Sequence, residues 1–307
     1  MELVGSLLQA ALRMATPLIY AAIGETYSER AGLLNLGIEG LMLIGALTAY
    51  TIAFFYQSIL LGVLGAAIIA GFFGLLFAFT TVTLKANQVI IGTALNLIGL
   101  GMTSYVHRML FNTLAGSSGN VKVLPIIRVP ILKDIPLIGP VLFEQNLLVY
   151  IALLLVPIAG FVLFKTSLGL ALRAVGEHPK ATATAGLSVT RLRYGAMIFA
   201  AMMAGIGGAY LPVAHANTFV ENMVAGRGFI ALAIVVFARW NPINVLWASL
   251  LFGFTFALQF RLQIANLRVA YQFLQILPYV VTLLTMVVLR GQTAQPKALA
   301  VPYTEQV

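Results

Sequence analysis

Charged residues and cysteine are scarce in this sequence. Only 9% of its 307 residues are Asp, Glu, Lys or Arg, whereas 61% are hydrophobic. A soluble domain needs about a quarter of its residues charged to cover its surface, so the composition predicts a surface that faces lipid. Cysteine is absent, which excludes disulfides and thiolate metal sites but does not indicate a compartment.

The residue patterns of common active sites are also missing. Asp134 is the only aspartate, so paired-aspartate metal sites are excluded. None of the lysines follows a glycine, which excludes a P-loop, and the 3 histidines form no HExxH motif. No Gly-x-Ser-x-Gly elbow is present. We therefore expect no catalytic residue, no metal site and no cofactor bound by this chain, and no ATP hydrolysis by it.

Long apolar runs make up most of the chain. A helix of about 20 apolar residues crosses the hydrocarbon core of a bilayer, and helices satisfy their backbone groups internally. The runs of this length are Leu7–Gly24, Leu33–Phe55, Ser58–Leu84, Gln88–Leu110, Val141–Phe164, Leu192–Ala214, Val245–Phe260 and Val269–Leu289. A shorter run, Gly228–Ala238, is either a ninth crossing or half of a broken one.

The predicted fold is all-α: a polytopic membrane helix bundle with eight or nine transmembrane helices, some of them broken. Pro17, Pro157 and Pro212 lie inside apolar runs, where each removes a backbone donor. We predict a single membrane domain over residues 1–290, with a loop at 165–193, and a flexible C-terminal tail over residues 291–307.

Basic residues in short loops predict the orientation. The loop Lys165–Arg193 contains Lys165, Arg173, Lys180, Arg191 and Arg193 against one acidic residue, Glu177. Because Lys and Arg concentrate on the cytoplasmic side of membrane proteins, this loop is predicted to be cytoplasmic. The net charge of +9 thus reflects membrane orientation, and we expect no nucleic-acid partner.

The same loop contains the signature of a short helix. Pro179 suits a first helical turn, because its missing N–H would be unpaired there anyway, and Gly186 suits a C-terminal left-handed position. A helix of two turns is too short to be stable alone. It would either dock into a groove on another protein or remain a solvated loop near lipid headgroups, and the spacing does not separate these alternatives.

A third of the acidic residues lie in the stretch GETYSERAGLLNLGIEG at Gly24–Gly40. Glu25 and Glu29 are close enough to the predicted membrane surface to be solvated. Glu39 lies inside an apolar run, where a charge at bilayer centre costs about 2.5–3.5 kcal/mol on insertion scales. Glu39 and Asn35 are therefore predicted to face the interior of the bundle.

Three stretches indicate a family. They are GETYSERAGLLNLGIEGLMLIGA at residues 24–46, LRAVGEHPKATATAGLSVTRLRYGAM at 172–197 and GRGFIALAIVVFARWNPINVLWASLLFG at 226–253. These stretches are the most specific part of a resemblance that extends along almost the whole sequence. The sequence resembles the inner-membrane permease subunits of ABC importers, in the branch that serves ribose-type sugars and branched-chain amino acids. It is most similar to the shorter of two permeases in nucleoside uptake systems. The bulky Trp240 departs from the family pattern, which has a small residue near this Asn-Pro.

The resemblance implies a function and a set of partners. The chain would be the permease subunit of an ATP-driven ABC importer, forming half of the pathway for a nucleoside or simple sugar. ATP and Mg²⁺ would be bound by a partner ATPase subunit. Further implied partners are a second permease in a heterodimer, an external substrate-binding protein and lipid, in the plasma (inner) membrane of a prokaryote. The alternative is an ion-coupled secondary transporter of a small polar solute, for which Glu39 is nearly the only candidate titrating group.

The resemblance also implies site residues. A coupling helix would insert into the ATPase through Arg173, Gly176, Glu177, His178, Pro179, Lys180, Ala181, Ala185 and Gly186. The position of polar residues inside apolar runs, and not the resemblance, predicts a substrate path that includes Asn35, Glu39 and Asn96, although an intramembrane Asn also serves to bridge helices. By position alone, Asn217 and Glu221 would contact the binding protein.

Overall fold

The computed structural model describes residues 2–112, 121–128, 138–264, the single positions 276, 278, 280, 281, 283 and 284, and residues 295–303. The helices are α1 (Glu2–Arg30), α2 (Ile38–Tyr56), α3 (Ile59–Ala78), α4 (Gln88–His107), α5 (Ile138–Phe143), α6 (Leu147–Lys165), α7 (Ser167–Glu177), α8 (Pro179–Thr184), α9 (Val189–Tyr210), α10 (Arg227–Phe237) and α11 (Pro242–Ile264). π-helical turns extend three of them, at Phe79–Thr83, Arg108–Asn112 and Leu211–Ala216. Two short strands, β1 (Ile126–Arg128) and β2 (Glu144–Asn146), pair antiparallel.

The predicted class, an all-α polytopic membrane bundle, is confirmed. Within the described residues, 7 helices are long and apolar enough to cross a membrane: α1, α2, α3, α4, α6, α9 and α11. This is fewer than the eight or nine predicted. Of the predicted span Val269–Leu289, only the single positions 276, 278, 280, 281, 283 and 284 are among the described residues, so this crossing stays a prediction. The run Gly228–Ala238 is α10, whose 11 residues rise only about 16 Å and reach only about half-way across the hydrocarbon.

Small residues allow close packing in the centre of the bundle. α1 packs against α9, α11 and α10, and α9 also packs against α2 and α3. A Cβ at Gly208 of α9 would overlap the carbonyl group of Met42 in α2, and one at Gly40 of α2 would overlap the carbonyl oxygen of Leu95 in α4. Helix backbones in lipid associate through such close approaches, since apolar burial alone does not drive helix association there.

The loops and helix ends lie at two opposite ends of the bundle. The end that carries residues 31–32, the loop from α6 to α9 and residues 238–241 is predicted to be cytoplasmic, and we call it the inner end. The opposite end, with β1, β2 and the start of α1, is called the outer end. α1 runs from the outer to the inner end. There Arg30, its last residue, donates to the carbonyl of Trp240, which lies in the turn between α10 and α11.

The chain does not enter α2 directly from the inner end. After α1, residues 33–35 run back along it, so that the N–H of Asn35 donates to Glu25 Oε1 at 3.0 Å. On α4, Gln88 accepts from the N–H of Leu34 and Asn96 accepts from the N–H of Gly40, each at 2.8 Å. Those two side chains are separated by eight residues, or about 12 Å of helix rise. The predicted span Leu33–Phe55 therefore begins as a non-helical strip, residues 33–37, and α2 starts part-way along the length of α4.

The C-terminal residues 295–303 return to the inner end. The N–H of Ala298 donates to the carbonyl of Gly176 at 2.8 Å, and the N–H of Ala300 donates to the carbonyl of Gly32 at 3.2 Å. Pro296 and Ala298 are buried. The division into a domain over 1–290 and a tail over 291–307 stays a prediction, but this part of the tail is bonded to the bundle.

Candidate functional site

The short helix predicted in the basic loop is present as α8. Pro179 occupies its first turn, and Gly186 follows its end with a φ of +84°. The N–H of Gly186 donates to the carbonyl of Ala183, and that of Leu187 donates to the carbonyl of Thr182, as at a glycine-terminated helix. Thr182 is buried against α7 and α9, whereas Lys180, Ala181 and Ala185 are exposed. α8 thus presents small exposed side chains beyond the inner end.

α7 supports α8 and fixes it to α1. Thr166 caps α7 by accepting from the N–H of Gly169 at 3.2 Å. Near its end, a Cβ at Gly176 would overlap the carbonyl oxygen of Arg30, so only glycine permits this approach of α7 to the last turn of α1. The end of α7, just before α8, is therefore in backbone contact with the end of α1, which precedes the strip that leads to α2.

The residues predicted to couple to an ATPase lie together on α7 and α8. Arg173 is half-buried, with its guanidinium carbon 5.2 Å from the ring centre of Phe164. His178 joins the two helices and is exposed, whereas Gly176 is buried. An open groove of about 810 Å³ lies between α7 and α8, with Glu177, His178, Ala181 and Ala185 among its lining residues. Contact with an ATPase is not tested by this geometry and stays a prediction.

The acidic residues at the end of α1 hold the inner end together. Glu25 and Glu29 are buried, with exposed fractions of 1% and 2%. The indole N–H of Trp240 donates to Glu29 Oε2, and Arg30 Nε donates to the carbonyl of Trp240 at 3.2 Å. The bulky residue that departs from the family pattern thus supplies a donor to a buried carboxylate.

Glu39 holds the start of the half-length helix α10. Its Oε1 accepts from the N–H of Gly226, and its Oε2 accepts from the N–H of Gly228, both at 2.7 Å. The first N–H groups of a helix lack partners within the helix, and a carboxylate there also interacts favourably with the helix dipole. The expectation that Glu39 faces the interior agrees with its exposed fraction of 8%.

Asn35 and Asn96 hold the strip in front of α2. Asn35 Oδ1 accepts from the N–H of Gly37 at 2.9 Å. Asn96 accepts from the N–H of Gly40 and donates through Nδ2 to the carbonyl of Leu36 at 2.7 Å. Each of the three residues predicted to line the substrate path, including Glu39, therefore binds backbone groups at the broken ends of helices. Their contact with substrate stays a prediction.

Asn217 and Glu221 lie at the outer end. Glu221 forms a bidentate ion pair with Arg108, at 2.7 Å to Nε and 2.8 Å to Nη2. The hydrogen bonds from Arg108 lower the pKa of Glu221 below its ordinary value. Asn217 has a φ of +62°, and its carbonyl accepts from the N–H of Val121 at 2.9 Å. Glu221 is exposed and Asn217 is half-buried, and their contact with a binding protein stays a prediction.

The described residues contain no group of three or more His, Asp or Glu side chains arranged to hold a metal ion. Asn35, Glu39 and Asn96 instead bind backbone amides and carbonyls at helix ends.

Comparison with known proteins identifies the family. Residues 7–290 match the family described as branched-chain amino acid transport system / permease component. The chain belongs to this permease family.

Similar proteins cover nearly the whole permease. It is 36% identical to the nucleoside ABC transporter permease protein NupC of Lactococcus lactis, over 94% of this chain and 93% of NupC. It is 34% identical to the guanosine ABC transporter permease protein NupQ of Bacillus subtilis, over 98% and 97% of the two chains. It is 39% identical to the putative glucose ABC transporter permease protein TsgC13 of Haloferax volcanii, over 87% and 80%. No solved structure matches the permease.

Sequence reasoning missed several residues that organise the inner end of the permease. Arg193 is only 1% exposed, and its Nε donates to the carbonyl of Ala31 at 3.2 Å. The sequence places it among the loop charges that predict orientation, because its burial depends on residues 31 and 301, which are distant in sequence. Gly32 has a φ of +86°, a conformation that favours glycine. The glycine itself was therefore a sign in the sequence of a turn at this position.

Proposed function

We propose that the permease forms half of the translocation pathway of an ATP-driven importer, with a nucleoside as its substrate and a simple sugar as the alternative. Family membership makes it a permease component of a transport system, and its similarity to NupC and NupQ supports the nucleoside. The similarity to TsgC13 supports the sugar alternative.

The observation that carries the ATP-driven mechanism is the exposure of α8 at the inner end. Lys180 and Ala181 are exposed on a helix of 6 residues, and Ala185 is exposed directly after it. A helix of this length is too short to be stable without surrounding contacts. Small side chains on a rigidly based helix suit insertion into a cleft of another protein. We infer that this other protein is an ATPase subunit, which binds ATP and Mg²⁺ and moves α8.

The remaining partners follow from the same proposal. A second, related permease completes the pathway as a heterodimer, and an external binding protein delivers the substrate to the outer end near Asn217 and Glu221. The multi-pass chain lies in the plasma membrane of a prokaryote, with α8 in the cytoplasm. Its own role is transport, and the hydrolysis of ATP takes place on the partner.

Single cysteines test the contact with the ATPase. The sequence has no cysteine, so Ala181→Cys and Ala185→Cys introduce unique thiols at exposed positions in α8 and at its C-terminal end. A thiol-directed crosslinker should join both variants to the ATPase in native membranes, whereas Gln57→Cys, exposed at the outer end, should give no such product. Labelling of the α8 thiols only from outside intact cells would overturn the proposed orientation.

A substrate panel tests the cargo. The assembled complex in proteoliposomes should hydrolyse ATP faster with one of adenosine, guanosine, cytidine or uridine than with ribose or glucose. Stimulation by a sugar alone would establish the alternative substrate. Uptake that continues without ATP and stops when the ion gradient is dissipated would instead establish a secondary transporter.

A further inference from the structure

The C-terminal residues 295–303, here called the tail segment, connect three elements of the inner end. The N–H of Ala298 donates to the carbonyl of Gly176 in the last turn of α7, and the N–H of Ala300 donates to the carbonyl of Gly32, next to the end of α1. Arg193 of α9 donates through Nη1 to the carbonyl of Val301 at 3.2 Å. These bonds come from separate parts of the chain and meet within four consecutive tail residues.

Arg193 links the tail segment to the turn after α1. The same guanidinium that donates to Val301 also donates to the carbonyl of Ala31. A Cβ at Gly32 would lie 2.9 Å from Arg193 Nη2 and 3.0 Å from the carbonyl oxygen of Ala298. The positive φ of Gly32 and the absence of a side chain there therefore leave room for both Arg193 and the tail segment.

The apolar side of the tail segment faces α10. Leu299 packs against the hydrophobic core and lines a cavity of about 320 Å³ together with Glu29, Leu232 and Trp240. The tail segment thus lies beside four of the helices that start or end at the inner end, namely α1, α7, α9 and α10.

Two kinds of contact join α7 to the turn after α1. The approach of Gly176 to the carbonyl of Arg30 is a packing contact, which resists compression and gives little resistance to separation. The tail segment adds hydrogen bonds to Gly176 and Gly32, and breaking buried hydrogen bonds has a cost. With both contacts, α7 and the turn are held together against motion in either direction.

We propose that the tail segment is a positioning element for coupling: it ties the base of α8 to residues 31–37, so that displacement of α8 moves the strip in front of α2. Residues 33–37 lead to Glu39, which holds α10, so the strip connects the inner end to the middle of the bundle. This inference rests on the proposed function, because it assumes that α8 is moved by an ATPase.

Hydrogen–deuterium exchange of the assembled complex tests the tie without requiring a known substrate. Exchange is measured with and without a non-hydrolysable ATP analogue and Mg²⁺, in peptides covering residues 179–186 and 30–37. In the intact complex we expect nucleotide to change exchange in both peptides. In a chain that ends at Ala294 we expect the change at 179–186 to remain and the change at 30–37 to be lost. A chain that ends at Tyr303 keeps the tail segment and should behave as the intact one.

A pair of point variants provides the test without truncation. Ala300 has a φ of +60°, which glycine adopts freely and proline cannot. Ala300→Pro also removes the N–H that bonds Gly32, so it should abolish the nucleotide response of residues 30–37. Ala300→Gly keeps the donor and should preserve that response.

The outcomes separate the two proposals. If residues 30–37 respond to nucleotide as strongly in the chain ending at Ala294 and in Ala300→Pro as they do in the intact complex, the tail segment only closes the inner end, and the inference is overturned. The same holds if nucleotide changes 179–186 but not 30–37 in the intact complex. If nucleotide has no effect on residues 179–186 in the intact complex, the proposed coupling through α8 fails first.

Discussion

The carboxylate of Glu39 accepts a hydrogen bond from the backbone N–H of Gly228 across 189 residues of sequence, at 2.7 Å. A Cβ at Gly228 would lie 2.6 Å from the backbone nitrogen of Glu39, so the two backbones are as close as glycine permits. The start of α2 and the start of α10 are thereby fixed to each other inside the bundle. A discontinuous helix with its N-terminus at membrane depth is a feature of transporter sites.

Substitution of Glu39 should weaken this junction. Glu39→Ala leaves the N–H groups of Gly226 and Gly228 unpaired inside the protein, and each unsatisfied buried group costs about 1–3 kcal/mol. Glu39→Gln keeps one acceptor oxygen and should lose less. The midpoint of thermal unfolding in detergent should fall in the order wild type, Glu39→Gln, Glu39→Ala. Unchanged midpoints with an altered KM for uptake would instead show that Glu39 acts on the substrate.

Gly176→Ala should disturb the base of α8. The added methyl group overlaps the carbonyl oxygen of Arg30, and overpacking of this kind costs about 1–3 kcal/mol. We expect lower uptake for each ATP hydrolysed, because α7 must move away from α1. Gly195→Ala is the matched control, since its new Cβ would have no atom within 4 Å. Equal uptake and equal unfolding midpoints in the two variants would contradict the packing described here.

The ion pair of Arg108 and Glu221 offers a test of the docking surface. Glu221→Arg places two arginines side by side, and the exchange of both residues, Arg108→Glu with Glu221→Arg, restores the pair. If the pair acts only within the chain, the exchange should recover the uptake lost in the single variant. If uptake stays low and affinity for the binding protein falls, Glu221 itself contacts that partner.

The same pair predicts a pH dependence. Because Arg108 lowers the pKa of Glu221, the carboxylate keeps its charge as pH falls through the ordinary carboxyl range near 4.3. Any stability that the pair contributes is present above that ordinary pKa and is lost as pH falls through the lowered one. In Arg108→Gln, Glu221 should take up its proton at a higher pH than in the wild type, as an isotope-edited infrared band of the carboxylate would show. Identical titration of the band in both proteins would contradict the assignment.

Trp240→Phe should destabilise the inner end. It removes the donor to Glu29 Oε2 while keeping an aromatic ring, and a buried polar group left without its partner costs about 1–3 kcal/mol. Trp247→Phe is the matched control, because Trp247 is 66% exposed and should tolerate the change. Unfolding midpoints measured for both variants give the comparison, and equal midpoints would exclude a role for the indole N–H.

Much of the fold could be predicted from the apolar runs, because length and hydrophobicity alone determine whether a helix can cross a bilayer. The helix at Pro179–Thr184 could also be predicted, since Pro179 and Gly186 mark its ends locally. The start of α2 was predicted at Leu33 and is found at Ile38. That difference depends on Gln88 and Asn96, which satisfy the backbone of residues 34, 36 and 40 from a distant helix.

The candidate site could be predicted only in part. The position of Glu39 in an apolar run indicated an interior side chain, but the run carried no information on its partners, Gly226 and Gly228. The tail segment was predicted from its composition to be flexible, whereas its described residues bond to Gly32 and Gly176. Contacts between distant parts of the chain leave no periodic pattern in the sequence, so neither feature could be obtained from it.

The shortness of α10 has a consequence for what must border this chain. Between Glu221 at the outer end and Gly226 at the level of Glu39, the backbone descends as turns. Non-helical backbone at membrane depth is tolerated only beside protein or water. Asn222 and Ala225 are uncovered in the single chain, so acyl tails cannot be their neighbours. We therefore expect protein or water, and not lipid, to border this face of the chain.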